Sequence, residues 1–172
     1  VNNAGMAVSA PLKSVTIEEW NRVFAVNVTG VMLCTRALTP GMVEAGWGRV
    51  VSVASIAGRM GAPYISTYAA SKHAVVGFTR AVAAELATTG VTVNAVCPGY
   101  VDTEMTTSSV RRIVEKTGIE AEEALRHMKN TSPQRRLFDP EEVAFLVACL
   151  CDPRARGING QAVVLDGGGV QS

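Results

Sequence analysis

A chain of 172 residues, 48% hydrophobic and 18% charged, has the length of one domain and the apolar content of a packed core, which excludes disorder. A net charge of +1 gives no electrostatic reason to expect nucleic acid or an anionic membrane as partner, and no uninterrupted apolar run reaches the ~18 residues of a membrane span. Cys34, Cys97, Cys149 and Cys151 fit neither zinc spacing nor a disulfide framework. The expectation is four reduced, mostly buried thiols in a cytoplasmic protein, with no metal site.

Thr16, followed by Ile17-Glu18-Glu19-Trp20, reads as a helix cap with acid in the first turn. Apolar residues recurring at Trp20, Val23, Phe24, Val28, Val31 and Met32 extend that helix to about Met42. Val50 to Ala54 reads as a buried strand, and the loop from Gly58 to Ser66 leads into a helix over about 67–87. Val91 to Val96 is a second strand, broken by Pro98-Gly99. Residues 103–132 read as a polar, partly helical insertion. Asp139-Pro140-Glu141-Glu142 combines a capping Asp, Pro at the first helical position and an acid at the third; its helix runs to about Cys151. Ala162 to Leu165 is a last strand. Strands alternating with helices predict an α/β fold with a parallel, Rossmann-like, doubly wound sheet in a single domain, 1–172.

Three side chains in this layout suit proton chemistry. Tyr68 and Lys72 lie four apart and share a helix face. An ammonium beside a phenol favours phenolate, so Lys72 is expected to lower the Tyr68 pKa and fit it for general acid and base work. Ser55 follows a strand, which puts its hydroxyl at the carboxyl end of the sheet, where α/β folds bind ligands. Taken singly, Tyr68 reads as a core tyrosine, Lys72 as a solvated lysine, Ser55 as a strand-end cap and Asn27 as a polar residue on an exposed helix face. His73 reads as structural and His127 as solvent-exposed.

Together, Asn2-Asn3-Ala4-Gly5, Asn27, Ser55 in Val53-Ala54-Ser55-Ile56-Ala57-Gly58, Tyr68-x-x-x-Lys72 and Pro98-Gly99-Tyr100-Val101-Asp102-Thr103 resemble a short-chain dehydrogenase/reductase in order and spacing, from Val1 to about Gly169. The resemblance implies NAD or NADP as cofactor and an alcohol–ketone oxidoreductase. It makes Tyr68 the proton donor and acceptor and Ser55 the hydrogen-bonding partner of the substrate oxygen. Lys72 holds the nicotinamide ribose, and Asn27 supports a water between Lys72 and solvent. Asn3, Ala4, Gly5, Tyr68, Lys72, Pro98, Gly99, Val101 and Thr103 are the implied cofactor-binding residues.

The family's Gly-x-x-x-Gly-x-Gly turn does not occur in the sequence, and the first motif falls at Asn2. The expectation is therefore the carboxyl-terminal portion of such an enzyme, with the first three strands missing. Residues 59–66 and 103–132 are expected to form the substrate rim. There Met60, Pro63, Tyr64, Ile65 and Met105 mix with Arg111, Arg112, Lys116 and Lys129, which suits a small-molecule substrate such as an acyl thioester whose carrier bears phosphate. Within the family, the stretches 71–79 and 93–101 resemble 3-oxoacyl and polyketide ketoreductases and 3-hydroxyacyl dehydrogenases, which implies a 3-hydroxyacyl or 3-oxoacyl thioester. Other readings stay open: a non-thioester alcohol, or a catalytically silent fragment acting through subunit contacts. Val75, Val76, Phe78, Val82 and Leu86 spread round the second long helix, which must then be covered on more than one side, and the family resemblance implies a homodimer or homotetramer paired through both long helices, about 17–42 and 67–87.

Overall fold

The computed structural model describes residues 1–171. Its centre is a parallel sheet in the order β1 (Gly48–Val53), β2 (Val91–Pro98), β3 (Ala162–Leu165). Gly48 pairs with Val91 and Val53 with Val96; Ala95 pairs with Ala162. Asn2 adds one parallel bridge on the outer side of β1, donating to Val51 O at 2.9 Å and accepting from Val53 N at 2.9 Å.

Alternation along the strands sets the two faces. Val50, Val91 and Val93 meet Ala83 of helix α3 (Ser66–Glu85), while Val51 and Val96 meet Leu150 of helix α6 (Pro140–Cys151). Helix α6 starts as expected, on a capping box between Asp139 and Glu142 with Pro at the first turn. The polar insertion resolves into two helices, α4 (Glu104–Thr117) and α5 (Ala121–Lys129).

The first long helix is interrupted in hydrogen-bond pattern but not in direction. Helix α1 (Ile17–Phe24) passes through a π turn, Ala25–Thr29, into α2 (Gly30–Glu44). Its length and apolar composition would also suit a membrane span; here Val23, Asn27, Val31 and Thr35 are buried along one side.

Two expectations need correction. Helix α3 is not apolar all round. Val75 and Val76 are buried with Phe78 half-buried against their cluster, Val82 and, just past the helix end, Leu86 are half-buried against a second cluster around Ala83, and His73, Gly77, Arg80, Ala81 and Ala84 stay outside. The thiols are not mostly buried either: Cys97 is, Cys151 is partly, and Cys34 and Cys149 are exposed, because both lie on helix faces turned from the sheet.

Candidate active site

The site forms where β1 ends and α3 begins. Ser55 is fully extended, with φ −178°, and caps a short turn, Ile56–Gly58, by accepting the Ala57 N–H at 3.1 Å. That turn presses on α3. A Cβ on Gly58 would sit 2.8 Å from the Lys72 carbonyl oxygen, so only glycine permits the approach. The contact brings the Ser55 side chain close enough to Tyr68 to act on its phenol.

One turn along α3, Lys72 is 5% exposed and donates from Nζ to Val53 O at 2.8 Å. Its ammonium lies 5.7 Å from the centre of the Tyr68 ring. Gly5 closes the other side: a Cβ there would be 3.6 Å from both Lys72 Nζ and Asn27 Oδ1. Asn27 is buried, not on an exposed helix face. The π turn aims it inward, where Oδ1 accepts Met6 N–H at 2.9 Å and Nδ2 donates to Met6 O at 2.9 Å and to Ser71 Oγ at 3.0 Å. Asn27, Gly5, Ser55, Tyr68 and Lys72 thus form one cluster drawn from four segments of chain.

The electrostatics differ from the expectation at Tyr68. Burial pushes its phenol above the ordinary value, the neighbouring Ser55 hydroxyl pulls it partly back, and nearby Tyr100 and Cys97 push it further up. Lys72 does not depress it. Burial lowers Lys72 itself to about 8, and its proton points to the Val53 carbonyl rather than to the phenol oxygen. Desolvation is the largest cause of both shifts. Burial also pushes the Cys97 thiol up, against the pull of the nearby Ser55 backbone N–H.

Cys97 and Tyr100 therefore belong to the surroundings of this candidate cluster, although the motifs gave neither a role. Strand parity could have placed Cys97, since Val91, Val93 and Ala95 share its face of β2, the face turned to α3. Pro98 ends that strand buried, and Gly99 N–H bonds Leu165 O at 2.9 Å. Val101 bridges Phe138, and Thr103 is the exposed residue before α4, its hydroxyl turned to Val101 O at 3.4 Å. Asn3 and Ala4 are exposed. Among the described residues, no hydrogen bond ties Thr103, Asn3 or Ala4 to the cluster. His73 binds Ala69 O of its own helix at 2.9 Å, and exposed His127 lies 3.9 Å from Glu123.

The nicotinamide end of the implied cofactor fits these residues. Lys72 spends one of three donors on Val53, is otherwise free beside Gly5 and Tyr68, and is buried enough for those donors to matter. A separate open groove of about 560 Å³ lies between α4, α5 and residues 136–139, lined by Asp102, Thr106, Val110, Leu125, Lys129 and Arg136, and by none of the reactive side chains.

A family model described as Enoyl-(Acyl carrier protein) reductase matches residues 1–169. The chain belongs to the short-chain dehydrogenase/reductase family. Among relatives, the D-beta-hydroxybutyrate dehydrogenase of Cupriavidus necator is 38% identical over 171 residues, covering 99% of this chain and 66% of the relative. The 3-oxoacyl-[acyl-carrier-protein] reductase of Synechocystis sp. is 42% identical over 169 residues, covering 98% and 63%. The crystal structure of F189W actinorhodin polyketide ketoreductase with NADPH superposes with a TM-score of 0.91 at 40% identity, covering 97% of this chain and 65% of that one. The chain thus spans 63–66% of the length of these family members.

Proposed function

We propose that this chain carries the catalytic cluster of an NAD(P)-dependent oxidoreductase that interconverts a secondary alcohol and a ketone, acting on a 3-hydroxyacyl or 3-oxoacyl thioester. The observation that carries it is the convergence of Ser55, Tyr68 and buried Lys72 at the carboxyl end of β1, with Lys72 Nζ 5.7 Å from the centre of the Tyr68 ring. The bound cofactor supplies or accepts the hydride. Ser55 and Tyr68 offer two hydroxyls to one substrate oxygen. Burial keeps Tyr68 protonated at neutral pH, so in the reductive direction it donates its proton to the oxygen of the ketone, and in the oxidative direction it must first lose that proton. Lys72 directs its remaining donors to the cofactor ribose, and Asn27 holds the Met6 loop and Ser71 against it.

The thioester is supported by the resemblance to 3-oxoacyl and ketoacyl reductases and by basic residues on the rim, Arg111, Arg112, Lys116 and Lys129. A free 3-hydroxy acid is the second reading, favoured by the 38% identity to a hydroxybutyrate dehydrogenase. A homodimer or homotetramer is proposed through α2, where Leu33 and Leu38 are 43% and 61% exposed, and the small outer face of α3. A cytoplasmic location is proposed because two exposed cysteines are free thiols, which suits a reducing compartment. Tyr68→Phe in the natural protein keeps the ring volume and removes the transferable proton. Turnover should fall by ~10²–10⁴ with the fold unchanged by circular dichroism; wild-type turnover in that variant would refute the assignment.

A further inference from the structure

The loop between the Ser55 turn and α3 holds a conformational oddity. Tyr64 has φ +68°, and among the described residues the other non-glycine residue with positive φ is Arg135. A bulky side chain is strained in this region, and such strain concentrates at ligand clamps. The backbone gives one reason for the conformation: the Tyr64 carbonyl accepts the Ala10 N–H at 2.8 Å. Next to Ala10, the Ser9 carbonyl accepts Lys116 Nζ of α4 at 3.3 Å. Residues 9 and 10 therefore strap the Tyr64 loop to the rim helix.

That clip explains the carbonyl, not the side chain. Glycine or asparagine would make the same bond with less strain. The ring does not serve the core either, since Tyr64 is 66% exposed. It stands two residues before α3 and four before Tyr68, at the carboxyl end of β1. Exposed Met60 shares its loop, and exposed Tyr100 and Met105 follow the carboxyl end of β2. A strained, solvent-facing aromatic ring is thus held at the same end of the sheet as the reactive oxygen.

We propose that the Tyr64 ring is the wall on which the apolar part of the substrate, beyond the reacting carbonyl, is laid, and so sets chain-length preference. This rests on the alcohol–ketone reading above. The test uses the natural protein with reduced nicotinamide and a series of straight-chain 3-oxoacyl thioesters and free 3-oxo acids. In the wild type, each methylene laid on the ring should lower KM by about fourfold. Tyr64→Gly and Tyr64→Ala should raise KM for the longer members by about tenfold and flatten the chain-length dependence, with kcat changed by no more than about twofold. Tyr64→Phe should restore the dependence, because the ring face and not the hydroxyl makes the contact. The Gly variant should melt above the Ala variant, which keeps the strain and lacks the ring. Wild-type chain-length dependence in Tyr64→Gly, its loss in Tyr64→Phe, or a Gly variant melting below the Ala variant would overturn the proposal while leaving the oxidoreductase standing. No turnover by the wild type on any ketone would overturn both.

Discussion

At the scale of single residues, the decisive feature is a lysine ammonium that is 5% exposed, has one carbonyl as hydrogen-bond partner and is pulled down to about 8 by burial. Its folded value lies below the unfolded value of 10.5, so burial destabilises the fold wherever the lysine is charged. That cost is fully present below about pH 8 and disappears as pH rises toward 10.5, where both states are neutral. A shift of this size corresponds to ~3 kcal/mol, reduced by the loss of the Val53 hydrogen bond in any apolar replacement. Lys72→Met should therefore unfold at higher denaturant than wild type at pH 7, and the gap should close on raising the pH from 8 to 10.5. A gap that stays constant over that range would mean that charge is not its cause. The four-residue spacing of Tyr68 and Lys72 was legible in the sequence, and so was the strand-end position of Ser55. Their pKa values were not, because these depend on how much water α3, β1 and the Gly5 segment exclude together, and spacing carries no information on that.

At the scale of elements, the π turn at Ala25–Thr29 decides where Asn27 points. Buried positions on this helix are Val23, Asn27, Val31 and Thr35, each four after the last. An α-helix of 3.6 residues per turn drifts off such a series, and one widened turn restores it. The apolar pattern Trp20, Val23, Phe24, Val28 announced a helix but hid the widening, since the residue that matters is polar and reads as surface. The capping box at Asp139 was legible because it is written in four adjacent residues. Asn27→Ala should leave Met6 N–H, Met6 O and the Ser71 hydroxyl without their partner at a buried site. The expected loss is ~2–4 kcal/mol in chemical denaturation, with a fall in turnover as the Met6 loop comes away from Lys72. Unchanged stability would show that these groups find other partners.

At the scale of the whole molecule, the sheet puts Ser55, Tyr68 and Pro98 at one end, as doubly wound folds require of a ligand site. The α/β class and all three strands were legible from alternation of apolar runs. The bridge of Asn2 on β1 was not, because a single paired residue has no periodicity. Cofactor affinity is the matching test at this scale. In the function proposed above, the cluster would hold the nicotinamide end, but among the described residues no helix opens on the glycine turn whose amides bind a pyrophosphate. Calorimetric titration of the 172-residue chain with NADH and NADPH should therefore show no micromolar binding to either; micromolar binding would mean that the phosphates are held in another way.

The register also implies an order of assembly. Strands β1 and β2 are joined by a single crossover through α3, whereas β3 reaches β2 only after α4, α5 and α6 have been threaded. Closing the shorter loop costs less chain entropy, so the β1–α3–β2 unit is the natural nucleus. Ser55, Tyr68, Lys72 and Cys97 all lie within it. On that order Ser55, Tyr68 and Lys72 would come together early in folding and the rim later, which high φ-values for substitutions in β1, α3 and β2 would show.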